Sequence, residues 1–190
     1  MTPDRQIHGF AIVSDDGCIA DASGATPQAL RNEADWAFFQ GWLDRAALTV
    51  LGREGHLAHP NEKRRKRLVL SSSAKGIEER ADGLWWNPAH VPVADALRIA
   101  APAGGIVAVP GGQRVFDLFL AFGYDAFHLS RAHGVTQPGG VKLFSGLDGE
   151  TAEGRLVRHG LVPGATRMID PANRVSLTVF RRDRSTGGRG

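Results

Sequence analysis

A single cysteine, Cys18, among 190 residues excludes a disulfide framework and fits a reducing compartment. No apolar run approaches the ~18 residues of a membrane span, and Met1–Phe10 lacks the features of a secretory signal. Both absences point to a soluble, cytoplasmic protein with no membrane attachment. No internal repeat recurs along the chain. The seven histidines show no metal-ligand spacing. His56 and His59 lie three apart, but no cysteine or carboxylate cluster accompanies them, so no zinc site is expected. The dinucleotide fingerprint and the P-loop are also incomplete, because neither a third glycine nor a Lys-Ser/Thr pair completes the glycine-rich turn.

What remains is a globular composition, 42% apolar and 23% charged, inside the range of folded domains. A chain of this length buries roughly 70% of the surface its unfolded form exposes. It predicts a single domain over 1–184 and a disordered tail over 185–190. The 24 glycines imply tight turns or backbone that approaches a ligand closely. The net charge is +3; Arg181–Gly190 alone carries +3 and Glu62–Arg67 carries +4, leaving −4 on the rest. Short runs of this kind read as solvated faces, not as a nucleic-acid footprint, which needs a continuous basic face with stacking aromatics.

Short β-branched runs alternate with helical stretches. Strands are expected at Ile7–Val13, Leu48–Leu51, Arg67–Leu70, Leu84–Trp86, Ile106–Val109, Phe127–Ser130 and Val175–Arg181. Helices are expected at about Gln28–Ala46, Val93–Ala100 and Arg114–Phe122. Turns fall at Ser14–Gly17 and Pro110–Gly112, and the small-residue segment Ala20–Pro27 reads as a mobile loop. Strands alternating with helices of roughly ten residues predict an α/β fold whose early part is largely parallel.

Asp35 is the most suggestive acid, because Phe38, Phe39 and Trp42 follow it at three, four and seven positions on one helical stripe. Apolar surroundings raise a carboxylate pKa, which suits a proton donor or a ligand for a cationic heterocycle; a first-turn acid also simply complements the helix dipole. Gly111-Gly112 follows an apolar strand and opens a helix, where backbone N–H groups can bind a phosphate. Gly52-Arg53 repeats that geometry with an arginine able to fork onto a phosphate, and Ser71 and Ser72 follow the next strand. Together these strand ends outline a site for a phosphorylated cofactor at the carboxyl edge of a sheet.

These pieces resemble the dihydrofolate reductase superfamily. Ala34-Asp35-Trp36-Ala37-Phe38-Phe39 resembles its acid-bearing helix, and Thr49-Val50-Leu51-Gly52-Arg53 its strand ending in Gly-Arg. Arg65-Lys66-Arg67-Leu68-Val69-Leu70-Ser71-Ser72 is similar to its cofactor-serine strand. Val109-Pro110-Gly111-Gly112-Gln113-Arg114-Val115-Phe116 resembles its glycine turn, and His128-Leu129-Ser130 the strand beside the acid. The order agrees from Ile7 to about Phe144, with Val175–Arg182 like the last strand. The resemblance implies a central mixed sheet of about eight strands flanked by four helices. It also implies an NADPH-dependent reductase of a small pterin-like substrate, dihydrofolate or a relative such as dihydromethanopterin, and is compatible with a homodimer.

Residue by residue, the resemblance gives Asp35 and Ser130 the catalytic, ring-holding pair, with Phe39 against the substrate. Ala11 and Ile19 would offer backbone groups to the nicotinamide. Gly52, Arg53, Ser71 and Ser72 would hold the 2′-phosphate end, and Gly111, Gly112, Gln113, Arg114 and Val115 the pyrophosphate, with Gly111–Gly112 joined by a cis peptide. Arg65 stands where the family binds the glutamate carboxylate of folate. The chain departs from the pattern in a longer segment between Ile19 and Asp35, in Gly55 and Phe116, and in a His- and charge-rich stretch between Gly55 and Arg65. Asp15-Asp16-Gly17-Cys18-Ile19-Ala20 also resembles the opening of the riboflavin-pathway reductase branch, whose substrate is a ribosylamino-pyrimidine phosphate.

Overall fold

β1 (Arg5–Ser14) lies at the centre of the sheet because, after Arg5, its side chains are apolar or neutral towards both faces. Ile7 and Val13 join the main core on one face, while Phe10 packs on the other. The computed structural model describes residues 4–183, and the tail expected at 185–190 lies outside the described residues. β1 pairs in parallel with β7 (Gly105–Gly111) on one side and β8 (Ala126–Ala132) on the other. Beyond β7 come β3 (Leu48–Gly52), β4 (Arg67–Leu70) and β6 (Gly83–Trp86), all parallel, with β5 (Ile77–Arg80) antiparallel at that edge. Beyond β8 runs β12 (Val175–Arg182), antiparallel, whose outer side is shared by β10 (Leu161–Pro163) and β11 (Arg167–Asp170). A separate ribbon joins β2 (Cys18–Ala20) to β9 (Val141–Lys142).

The main sheet has ten strands among the described residues, slightly more than the eight expected. Beyond the seven strands placed from the sequence, the additions are β5, β10 and β11, each three or four residues long, too short to carry an alternating pattern. Among the described residues five α-helices flank the sheet, one more than the four expected: α1 (Glu33–Leu43), α2 (Arg53–Ala58), α3 (Val93–Ala100), α4 (Gln113–Phe122) and α5 (Ala152–Arg158). α2 and α5, six and seven residues long, show too few turns for a sequence period. The helix expected over Gln28–Ala46 divides into a 3-10 turn at Gln28–Leu30 and α1. Asn32 breaks it, with extended backbone (φ −128°) and a side chain that caps the first turn of α1. The turn expected at Pro110–Gly112 also starts later, since β7 continues through Gly111.

α3 and α4 cover one face, burying Leu97, Ala100, Val115, Phe116 and Phe119 against Ile7, Val107, Val109 and Phe127. α1 covers the other, laying Phe38, Phe39, Trp42 and Leu43 over Phe10 and Ala108. Each fully buried side chain of this size contributes about 1.5–3 kcal/mol, which holds α3 and α4 firmly, whereas Phe38, Phe39 and Trp42 of α1 are only partly buried. One irregularity positions the site. β1 stays with β8 as far as Ser14↔Ala132 but parts from β7 after Gly9↔Val109. The β7-facing edge of β1 beyond that point has no sheet partner, and a crevice opens at the carboxyl end of the sheet.

Candidate active site

Asp35 is the third residue of α1. Its N–H donates to Asn32 Oδ1 at 3.0 Å, and Asn32 Nδ2 donates to Asp170 Oδ2 of β11 at 2.8 Å. Asn32 therefore does the capping, and the Asp35 carboxyl turns to the sheet, where Ser130 of β8 hydrogen-bonds it. Burial pushes the carboxyl above its usual range, and the Ser130 bond offsets part of that rise. The aromatic stripe packs on Phe10 and His128, which stack on each other at 4.6 Å. Phe39 lies 5.5 Å from Phe10, ring centre to ring centre, whereas Phe38 and Trp42 turn to His128 at 5.5 and 4.7 Å. Trp36, 51% exposed, stands 5.8 Å from Phe39 and 6.0 Å from His59. It extends the apolar wall, yet nothing in the sequence marks a residue beside the acid as part of the same surface.

Three neighbouring parallel strands end level with one another, since Leu51 pairs with Gly111 and Gly52 with Leu70. β7 leads through Gly111-Gly112 into α4, and that peptide is cis, as the resemblance implied. Gly111 has φ +106°, and a Cβ there would sit 2.5 Å from the Phe116 ring, so only glycine fits. At Gly112 a Cβ would meet nothing within 4 Å, so the space over the first turn of α4 is open. The Val115 and Phe116 N–H groups return to the Gly112 carbonyl at 3.0 and 2.9 Å, while the first-turn amides of Gln113 and Arg114 have no intrahelical acceptor. The Val115 side chain is core, leaving only its backbone for the site. The Gln113 amide donates to the Lys142 carbonyl at 3.0 Å, tying α4 to β9.

β3 ends in Gly52-Arg53 beside this turn, and Arg53 and Arg114 are both exposed. Ser71 is buried, with its hydroxyl 2.8 Å from that of Ser73, whereas Ser72 and Ser73 are exposed. Ser73 is a second candidate site residue that sequence reasoning missed, although the run of three serines carried the signal. Exposed guanidinium groups, hydroxyls and an open glycine surface at level strand ends fit the phosphates of a dinucleotide.

Ala11 lies on β1 just past its parting from β7, and Ile19 lies on β2. The Asp16 carboxylate accepts from the Gln137 N–H at 3.0 Å, and Cys18 pairs with Lys142, which clasps this segment to the β9 region. The segment expected to be mobile, 20–27, has local order around Asp21, whose Oδ1 accepts from the N–H groups of Ser23 and Ala25 at 2.8 and 3.2 Å. Arg65 is committed elsewhere. Its Nη1 donates to Gln40 Oε1 at 2.8 Å, its Nη2 pairs with Asp44, and its Nε is buried without a partner. Lys63 joins Asp44 at 3.2 Å. The structure thus groups Asp35, Phe39 and Ser130 under α1, and Gly52, Arg53, Ser71, Ser72 and Gly111–Val115 along the strand ends. Arg65 serves the far end of α1.

No protein-family model matches the sequence, and no curated protein matches it. Solved structures do. Dihydrofolate reductase from Enterococcus faecalis, complexed with NADP(H) and RAB-propyl, superposes at a TM-score of 0.68 and 20% identity, covering 96% of this chain and 99% of that one. A diaminohydroxyphosphoribosylaminopyrimidine deaminase/5-amino-6-(5-phosphoribosylamino)uracil reductase from Thermotoga maritima gives a TM-score of 0.69 at 15% identity, over 95% of this chain and 57% of that one. The chain thus spans little more than half of that two-activity protein. A protein ascribed to riboflavin biosynthesis from Shewanella sp. PV-4 gives 0.66 at 18% identity, over 94% and 99%. By order of elements, register and these superpositions, the chain has the dihydrofolate reductase-like fold.

Proposed function

We propose that this protein is an NADPH-dependent reductase of a dihydropterin, dihydrofolate or a relative such as dihydromethanopterin. The observation that carries the reading is the half-buried Asp35 against the buried Ser130, its carboxyl held above the usual range by burial, in the same carboxyl-edge region as the Gly111-Gly112 turn. NADPH would supply the hydride. Gly52, Arg53, Ser72 and Ser73 would hold its 2′-phosphate end, with Ser71 bracing Ser73 from below. The first turn of α4, through the backbone N–H groups of Gly112, Gln113 and Arg114, would hold the pyrophosphate, and the backbone of Ala11 and Ile19 would face the nicotinamide.

Asp35 accepts hydrogen bonds from the amino and ring N–H groups of the pterin, which fixes the ring's orientation. A carboxylate there also favours the protonated, more electrophilic ring. Ser130 holds the carboxyl in place, and Phe39 with Trp36 walls the ring against water. The test is NADPH oxidation by the purified chain against a panel of dihydropterins and ribosylamino-pyrimidine phosphates. Turnover of a dihydropterin that is lost in Asp35→Asn supports the reading, and turnover confined to the pyrimidine phosphates overturns it. That second substrate class is favoured by one observation, the exposed cations Lys63, Arg64 and Lys66 beside the far end of α1.

A further inference from the structure

The crevice opens where β1 parts from β7 after Gly9↔Val109, and its two sides run on into different elements. On one side β7 ends at Gly111, and the chain turns through Gly112 into α4. On the other, β1 ends at Ser14 and the chain turns into β2, whose Cys18 N–H returns to Ser14 Oγ at 3.0 Å. β2 carries β9 with it. Cys18 pairs with Lys142 and Ala20 with Val141, and the Leu143 N–H donates to the Gly17 carbonyl at 3.0 Å. The β2–β9 ribbon therefore belongs to the β1 side of the crevice.

Gln113 joins that ribbon to the other side. It is the first residue of α4 and half-buried, and its Nε2 donates to the Lys142 carbonyl at 3.0 Å. The bond does not serve the helix itself: Gly112 caps α4 with no side-chain bond, and the Gln113 amide reaches a residue 29 positions away. Nearby, Phe144 packs 6.4 Å from Phe116, ring centre to ring centre, and the Ser145 N–H donates to Asp117 Oδ1 at 3.1 Å. These contacts hold the end of β9 against α4 independently of the side chain at 113. What Gln113 adds is direction. Apolar packing is non-directional, whereas a hydrogen bond weakens steeply when misaligned, so this bond fixes how far the ribbon stands from the first turn of α4.

We infer that the side chain of Gln113 is a positioning group: through Lys142 it sets the spacing between the first turn of α4 and the segment 14–20, and with it the fit of a ligand that spans the two. The inference rests on the NADPH reading, in which the backbone of Gly112 to Arg114 holds the pyrophosphate and that of Ala11 and Ile19 faces the nicotinamide. The two halves of the cofactor are covalently joined. A ribbon displaced from α4 therefore loses the ring while the pyrophosphate stays in place, and a misplacement of about 1 Å is already costly. The Gln113 backbone N–H is present whatever its side chain, so the pyrophosphate contacts do not depend on the amide.

The test uses two ligands, NADPH and 2′-phospho-ADP-ribose, which has the same adenosine 2′-phosphate, pyrophosphate and second ribose but no nicotinamide. Both are titrated calorimetrically into the full chain, as wild type and as Gln113→Met, which keeps the length of the side chain and removes the donor. The wild type binds NADPH the more tightly. In Gln113→Met that preference falls by about fivefold or more, as expected for one lost hydrogen bond, with the affinity for 2′-phospho-ADP-ribose unchanged. A merely structural role would weaken both ligands together and leave their ratio as it was. A ratio that Gln113→Met leaves unchanged, with or without general weakening, overturns the inference and leaves the cofactor reading intact. Equal affinities in the wild type overturn the inference together with the placement of the nicotinamide, leaving the phosphate contacts. Failure of both ligands to bind the wild type removes the NADPH reading and this inference with it.

Discussion

His8 Nδ1 and His128 Nε2 face each other 3.1 Å apart across β1 and β8, with Phe10 stacked on His128 at 4.6 Å. Burial pushes His128 down from 6.5 to about 3, helped by the nearby His8, Arg181 and Arg45. Burial likewise lowers His8, against the pull of Asp125. Both imidazoles are therefore held neutral in the fold. Between pH 6.5 and about 3 the unfolded chain binds protons that the native state refuses, so stability falls as pH drops through that window. His128→Phe removes one of these groups. Its melting temperature should decline less steeply from pH 6 to pH 4 than that of the wild type, by roughly 5–10 °C for a difference of a few kcal/mol. Parallel curves would exclude the pair as an acid-labile element.

Asp35 and Asn32 share one helix start but do different work, and two variants separate them. Asp35→Asn should keep the wild-type melting temperature within a few degrees and lose about 10²–10⁴-fold in turnover, the range of an acid–base group. The loss should shrink at low pH, where the substrate arrives already protonated. Asn32→Ala removes the cap and the bond to Asp170, and should cost about 0.5–2 kcal/mol of stability. Melting curves and turnover on both proteins decide the matter, and a destabilised but active Asp35→Asn would reverse the assignment.

Arg53 is exposed at the end of β3, one strand from Ser72 and Ser73. A guanidinium on a phosphate dianion contributes about 1.5–3 kcal/mol. Arg53→Ala should therefore lower the preference for NADPH over NADH by roughly ten- to a hundredfold, with NADH binding unchanged. Equal dissociation constants for the two cofactors in the wild type would remove this role.

Gly111→Ala should destabilise through two routes at once. The backbone at φ +106° disfavours any Cβ, and that Cβ would press into the Phe116 ring at 2.5 Å. Overpacking and backbone strain each cost about 1–3 kcal/mol. Adding Phe116→Leu should recover only the packing part, which a two-variant comparison of urea midpoints would resolve.

The legible parts of the fold are those whose signals are local. Val93–Ala100 shows its period in sequence and forms a helix over the same residues. The glycine pairs, Asp35 and the serine run were visible because strand ends and turns leave compositional marks. Arg65 shows the limit. Its place in the motif was legible, but its partners Gln40 and Asp44 lie on another element, and only folding brings them together. His8 and His128 were equally hidden, because two histidines on strands about 120 residues apart become a pair only through the register that sets β1 beside β8. The short strands β5, β10 and β11 depend on neighbours for their pairing and carry little signal of their own.

The position of β1 in the sheet sets the order in which the chain can assemble. It precedes the other strands of the sheet in sequence, yet both its neighbours, β7 and β8, are contributed by residues beyond Gly105. During synthesis β1 therefore remains an unpaired apolar segment until about a hundred further residues have been added. The crevice cannot exist as a local unit, because its two walls are closed by pairings of long sequence separation, the kind that slows folding. Fragments ending before Gly105, and so lacking both β7 and β8, should leave this strand exposed and aggregate. A separately supplied segment spanning β7 and β8 would be the natural complement to such a fragment.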